Sequence, residues 1–387
     1  MRHLFNIIRK EWSDIFRDEG VILIMIAAPL IYATIYSLTY GTEVLTNIPI
    51  GVIDHSHSTQ SRKLMEDINA GENIHISFNP TDMEQAKRLF FERKIYGIIY
   101  IPSDFETRLM RCEQATVATY LDASYMLVYR QSYKELAAII SDFNANIELR
   151  HLAMQATAPS ASRAIIQPAR LNFHTLFNPQ QGYGIFVMPP VIILILQQTM
   201  LIGVGMLIGT RREREGRNPI QNPAITILCR AIAHSLIYGA IALYLINIHF
   251  PLFHYPANGS PPALTLLLSI YLFCCAFMSI ALGELFQRRE TSLMVMLWSS
   301  IPLLMLSGIS FPSKAMPAVW RYIALIFPST HATMGFIKVQ TAGATAQQAK
   351  NEIFSLIILT VIYFIVAYTI IKKRKLPTQS KTSQHTE

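Results

Sequence analysis

The sequence predicts a membrane α-helical protein. It has six transmembrane helices, with a soluble α/β domain inserted between the first and second spans on the periplasmic, or extracytoplasmic, side. Three observations predict it. Six apolar runs, 21–40, 184–208, 224–248, 263–282, 292–311 and 353–371, are long enough to cross a bilayer, since about 20 helical residues rise about 30 Å. Between the first two runs, strand and helix signals alternate through a long polar stretch, 41–182. The basic residues gather at the ends of the apolar runs and not within that stretch.

Residues 1–20 read as a cytoplasmic interfacial helix. At about 100° per residue, Leu4, Phe5, Ile8, Trp12, Ile15 and Phe16 fall on one face. Arg2, Arg9, Lys10, Ser13, Asp14, Arg17 and Asp18 fall on the other. That is the pattern of a helix lying along the inner leaflet, and equally of one packed on another protein. The first span, 21–40, is too long for the core of a cleavable signal and no small-residue cleavage site follows it, so it is expected to stay as an anchor.

In 41–182, IPIGVID (48–54), NIHISF (73–78), IYGIIYIP (95–102) and ATVATYLD (115–122) are the expected strands. Helical patterns at 59–70, 80–94 (with Asp82 near its start) and 103–111 separate them, and a long helix is expected over about 124–155. Strand–helix alternation of this kind predicts a small α/β domain with a mixed sheet. The Pro-, Ser- and Asn-rich stretch 156–181 is expected to wrap its base.

The remaining spans, 184–208, 224–248, 263–282, 292–311 and 353–371, make up a transmembrane domain over 183–371. Within it, 318–327 is apolar but too short to cross, and Pro328 ends it, so 312–340 is expected to be re-entrant or interfacial. The tail, 372–387, is polar and expected to be disordered.

Charge sets the orientation. The net charge is +8, yet 41–182 holds 13 Lys and Arg against 15 Asp and Glu, which argues against a nucleic-acid partner. The excess flanks the spans: Arg9, Lys10 and Arg17 before the first, Arg211, Arg212, Arg214 and Arg217 after the second, Arg288 and Arg289 after the fourth, Lys372 to Lys375 after the sixth. The intervening stretch 249–262 has none. By the positive-inside rule both termini are cytoplasmic and the α/β domain is translocated. Among the cysteines, Cys229, Cys274 and Cys275 lie in or beside spans. Cys112 is thus alone in the α/β domain, which can form no internal disulfide.

The chain lacks G-x-x-x-x-G-K-[ST], H-E-x-x-H and G-x-S-x-G, so it is expected to be no enzyme and to hold no cofactor or metal. His55 and His57 read as a polar turn, and Ser329 with His331 lacks any third member of a triad. Polar groups in or at the edges of spans are few: Arg230, His234 and Glu284, with Gln197 and Gln198. Arg230 and Glu284 lie toward cytoplasmic ends, where they pair or snorkel, so an ion-coupled carrier is disfavoured. A transporter without its own energy source needs a mechanical input from a cytosolic partner. GTRREREGRNP (209–219) offers the handle: Arg211, Arg212, Glu213, Arg214, Glu215 and Gly216, with Arg9, Lys10, Arg288 and Arg289 as secondary contacts. Positive-inside anchoring alone would explain its arginines but not Glu213 and Glu215. A membrane-anchored ligand sensor is the alternative, and a membrane-embedded enzyme a more distant one.

Three blocks carry a family resemblance. They are IPIGVIDHSHSTQSRKLMEDINA after the first span, EQAKRLFFERKIYGIIYIPSDFETRLMRCEQATVATYLDAS after it, and LSGISFPSKAMPAVWRYIALIFPSTHATMGFIKV (306–339) between the last two spans. In this order and topology the chain resembles the permease subunit of ABC type 2 exporters, in the subgroup with a large periplasmic domain after the first span. The resemblance implies a pump half in the bacterial inner membrane. It would pair with a second permease subunit, as a homodimer or heterodimer, and each would engage an ABC ATPase subunit that binds ATP and Mg. It further implies that 209–219 is the coupling segment, although here the loop continues as EGRNPIQNP, where proline ends the helix early. Relatives of this subgroup often work with a periplasmic adaptor and an outer-membrane channel. The expected cargo is amphipathic, a drug, lipid or similar molecule, moved from the cytoplasm or the membrane itself.

Overall fold

The computed structural model describes residues 2–41, 45–154, 176–178, 182–216, 220 and 222–373. The expected wrap at 156–181, apart from 176–178 and the neighbouring Gly182, lies outside these residues, as do Arg217 and the tail beyond 373. The chain divides into two compact units, Met1–Glu43 with Thr175–Glu387, and Val44–His174.

The first helix, α1 (Arg2–Arg17), ends at Asp18, whose Oδ1 accepts hydrogen bonds from the N–H groups of Gly20 (3.1 Å) and Val21 (3.2 Å). That cap starts α2 (Glu19–Thr39), which contains one wide helical turn at Leu23–Ala27.

The smaller unit follows. Its strands are β1 (Ile48–Asp54), β2 (Ile74–Phe78), β3 (Gly97–Ile101) and β4 (Ala118–Leu121), in the order β2-β1-β3-β4. β1 pairs parallel with β2 and β3, and β4 adds antiparallel to β3, so the sheet is mixed. Helices α3 (Thr59–Asn69), α4 (Met83–Phe91), α5 (Phe105–Met110) and α6 (Met126–Met154) complete it. Leu64, Phe105, Leu136 and Phe143 cover one sheet face in a core with Ile50 and Val52, while Ala86 and Ile95 cover the other with Ile53 and Ile98. Alternate residues of β1 and β3 thus go to opposite cores, as the two-residue period of a strand requires. A capping box between Ser58 and Ser61 starts α3, and Asp82 caps α4 through Gln85 N–H.

The chain then returns to the helical unit through α7 (Tyr183–Glu215), α8 (Pro223–Leu252), α9 (Pro261–Gly283) and α14 (Lys350–Lys372). With α2, these are the five helices among the described residues long and apolar enough to cross a membrane. α7 is the centre of the unit, with nearly every residue from Met188 to Thr210 buried.

The expected run at 292–311 is not one helix. It is α10 (Arg289–Trp298) and α11 (Ser300–Leu306), which meet at Ser299. Pro302 has no N–H to offer the carbonyl of Trp298, and the Ser299 and Ser300 hydroxyls donate to the carbonyls of Met296 and Leu297 instead. After a short exposed helix, α12 (Ala318–Ala324), α13 (Pro328–Phe336) continues into a wide turn at Ile337–Thr341 and lies buried against α7, α9 and α14.

Glycines on α7 let α10 approach closely. A Cβ on Gly205 would stand 2.2 Å from Ser292 Oγ, and one on Gly209 would stand 2.7 Å from both N and Cα of Arg289. Gly209→Ala therefore forces α10 away from α7. Its expected cost is about 1–3 kcal/mol, read as a lower thermal midpoint in detergent. Gly239→Ala, whose Cβ would meet nothing within 4 Å, should leave the midpoint unchanged.

Candidate functional site

The charged ends of α1, α7, α8 and α9 converge on Glu11. Its apolar neighbours explain how it comes inside. Ile15 is fully buried, and Trp12 donates its indole N–H to the carbonyl of Ala233 (3.1 Å), so this side of α1 packs on α8. Glu11 shares that side and is only 3% exposed.

Around it stand three cationic or ionisable groups. Arg211 forks onto both carboxylate oxygens (2.7 and 3.2 Å), Arg230 Nε lies 3.5 Å from Oε2, and His234 Nε2 lies 3.1 Å from Oε1. Arg211 also reaches Asp14 Oδ2 at 2.9 Å. A second carboxylate, Glu284, is 1% exposed; it holds Arg212 at 2.5 Å and stands 3.8 Å from Arg230. Arg212 additionally donates to the backbone carbonyls of Glu284 and Phe286, closing the end of α9. Glu11, Asp14 and Glu284 thus balance Arg211, Arg212 and Arg230, and the buried network is neutral overall.

Burial by itself would raise the Glu11 pKa. Arg211, Arg230 and the His234 hydrogen bond outweigh it and hold the carboxyl far below the ordinary glutamate range. A second pair lies beside the network. Arg289 forks onto Asp18 (2.6 and 2.8 Å) and reaches Thr210 Oγ1 at 3.3 Å. Desolvation opposes ionisation of Asp18, but hydrogen bonds from Arg289, Val21 and Gly20 lower its pKa. Asp18 therefore joins the start of α2 to the start of α10.

The residues singled out in GTRREREGRNP divide between inside and outside. Arg211 to Glu215 are the last turns of α7, not a loop, and the helix stops at Gly216 with φ +68°. Arg211 and Arg212 turn inward to the network. Glu213, Arg214 and Glu215 are exposed. Glu213 Oε1 accepts from the Arg289 N–H (2.9 Å), and Glu215 lies 3.8 Å from Lys10 Nζ. Arg9, Lys10 and Arg288 are exposed, whereas Arg289 is committed to Asp18. Lys10, the end of α7 and residues 287–290 at the start of α10 accordingly form one continuous charged face over a neutral, buried base.

Glu11 is a site residue that the sequence pattern does not single out. Its signal is visible in hindsight: a carboxylate three residues after Ile8 and four before Ile15, in the middle of an apolar helical stripe.

The other sequence candidates have structural partners. Gln197 donates to Ser329 Oγ (3.1 Å) and accepts from the Ser329 N–H (2.8 Å), capping α13. Gln198 donates to Met296 O and Ser299 Oγ where α10 and α11 break. Both glutamines satisfy backbone interrupted within an apolar bundle. His331 bonds Leu325 O (3.0 Å), away from Ser329. His55 bonds Thr81 O (3.3 Å) and lies 3.4 Å from the Tyr100 hydroxyl.

Residues 20–369 match the model of a family described as ABC-2 family transporter protein. The chain belongs to that family. Two curated relatives run along most of it. One is the probable multidrug ABC transporter permease YbhR of Escherichia coli strain K12, 19% identical over 96% of this chain and 98% of the relative. The other is the probable multidrug ABC transporter permease YbhS of the same organism, 20% identical over 83% of this chain and 84% of the relative. This ABC-2 protein is therefore a membrane permease subunit of an ABC transporter. Such permeases are the membrane component rather than the enzyme, and the family implies association with an ATPase subunit.

Proposed function

We propose that the chain is the membrane-spanning half of an ATP-driven exporter in a bacterial inner membrane, moving an amphipathic drug, lipid or similar molecule outward. The ATP and Mg belong to a separate ATPase, and a second permease subunit, identical or homologous, completes the pathway. In this reading α10 and α11 together make the sixth crossing: Arg289–Leu306 would rise about 27 Å as a helix, close to the hydrocarbon thickness. Both termini face the cytosol and the α/β unit faces the periplasm, where an adaptor leading to an outer-membrane channel would meet it. Membrane lipid surrounds the helices, and no nucleic acid is involved.

One observation carries the reading: the exposed charged face formed by Lys10, Glu213 to Glu215 and 287–290 over a neutral network. Its base joins α1 to the ends of α7, α8 and α9, and the neighbouring Asp18–Arg289 pair joins α2 to α10. A push on that face from an ATPase is delivered to several helices at once, which is what switching between two packings needs.

The test is reconstitution. Vesicles containing this chain with its ATPase should show ATP-dependent export of a lipophilic dye, and the chain alone should neither bind nor hydrolyse ATP. Micromolar nucleotide binding by the chain alone would contradict the assignment.

Topology has a built-in reporter. Cys112 is exposed, while Cys229, Cys274 and Cys275 are buried. A membrane-impermeant maleimide should label the wild-type chain at Cys112 from the periplasmic side of spheroplasts. Labelling only after the cytosolic side is opened would reverse the orientation.

A further inference from the structure

At the end of the helical unit remote from the charged network, α8 and α9 enclose a cavity of about 450 Å³. Asn247 at its wall is about 25 Å along α8 from Arg230. Among the described residues, its lining has no Asp, Glu, Lys, Arg or His. Gly239 and Ala242 create much of the space, and Leu243 at the rim is 63% exposed. The volume lies within the range of small-molecule sites, about 300–1,000 Å³.

Two helical irregularities border this space. The wide turn Leu245–His249 supplies Ile246 and Asn247, and the wide turn Ile337–Thr341 supplies Gln340. Such turns recur at functional sites because they re-aim side chains out of the helical register. Gln340 is 2% exposed, and its amide reaches the wall beside Gly259, where a Cβ would stand 2.8 Å from Gln340 Oε1.

The polar residues at the mouth indicate what medium it opens to. Thr265 donates its hydroxyl to Pro261 O (2.8 Å), and Asn247 donates its amide to Leu243 O (2.8 Å). Side chains folded back onto their own helix in this way, between exposed leucines, suit hydrocarbon and not water.

We propose that this cavity is a lateral site for one acyl chain of a membrane lipid in the leaflet opposite the charged end. The chain fills the space opened by Gly239, and its ester carbonyl accepts a hydrogen bond from the Gln340 amide. The inference rests on the reading that α8 and α9 span the membrane, but not on the ATPase assignment.

The full chain is reconstituted into vesicles of phosphatidylethanolamine and phosphatidylglycerol containing a phosphatidylcholine with a mid-chain diazirine, then irradiated and mapped by mass spectrometry. The expected result is strong labelling within 239–272 relative to the exposed face of α14 around Ile358 and Ile362. Gly239→Phe should cut the cavity labelling by at least about tenfold, since its ring occupies the space, while α14 labelling stays constant. Gln340→Met keeps the shape and removes the amide; it should cut cavity labelling about fivefold, the equivalent of one net hydrogen bond. That second variant decides the matter if Gly239→Phe fails to fold. Labelling of α8 and α9 equal to that of α14, unchanged in Gln340→Met and in any folded Gly239→Phe, means surrounding lipid only and overturns the site. Absence of label from α8, α9 and α14 alike would instead overturn the membrane-spanning reading, and the site with it.

Discussion

Glu11→Gln is expected to lower the stability of the helical unit by about 3–5 kcal/mol, the usual cost of leaving a buried charge without its counter-ion. The glutamine keeps the shape and removes the one carboxylate that Arg211, Arg230 and His234 share. Arg211 would retain Asp14, and Arg230 would lose its 3.5 Å approach to the Glu11 carboxylate while its 3.8 Å approach to Glu284 remains. The thermal midpoint in detergent and the abundance in membranes should both fall. Asp14→Asn should do less, because Asp14 is more exposed and, among the described residues, pairs only with Arg211. A Glu11→Gln midpoint equal to wild type would show that the network is not what holds α1 to α8.

The same carboxylate sets a pH dependence. An unfolded glutamate titrates near 4.5 and folded Glu11 far lower, so the folded state binds fewer protons in the interval between. Its stabilising contribution is complete above pH 4.5 and is lost progressively as the pH falls below that value. Glu11→Gln should flatten this acid limb, bringing mutant and wild-type midpoints together toward low pH.

Replacing Glu213 and Glu215 together by glutamine is expected to lower both transport and the stimulation of ATP hydrolysis without lowering membrane abundance. The arginines that would orient the chain under the positive-inside rule remain, so insertion should persist. If the proposed docking holds, two charge partners for the ATPase disappear, worth about 2–5 kcal/mol of docking where the contact buries them and little on its rim. Glutamine at 213 can still accept from the Arg289 N–H, and the Glu215–Lys10 pair is long and exposed. ATPase stimulation and dye export should therefore fall together at normal abundance. Wild-type export from the double variant would reduce the end of α7 to a topological anchor, and the docking contact would move to Arg9 and Lys10 or to Gln287–Glu290.

The strands of the α/β unit were legible because their pattern is local. IPIGVID and IYGIIYIP contain the strands that the structure places at 48–54 and 97–101, bounded by turns whose chemistry the sequence displays. The long apolar helices were legible for the same reason, since length and hydropathy are properties of a window. The break at Ser299 was less so. Pro302 signals trouble in a helix, but the interruption persists because Gln198, about a hundred residues away, supplies a donor to Met296 O.

The charge cluster shows the same limit from the other side. Composition alone determined that 211–215 is cationic and membrane-flanking, because hydropathy and charge act on the chain whatever its fold. Which arginines face a partner was decided only by the tertiary structure. Arg211 and Arg212 directly precede Glu213 and Arg214, yet the helix continues through Glu215, and its 100° rotation per residue carries the first two into the bundle. There they meet Glu11 and Glu284, two carboxylates far apart in the sequence. No window of sequence contains that meeting, and a buried charge is stable only where such a meeting occurs.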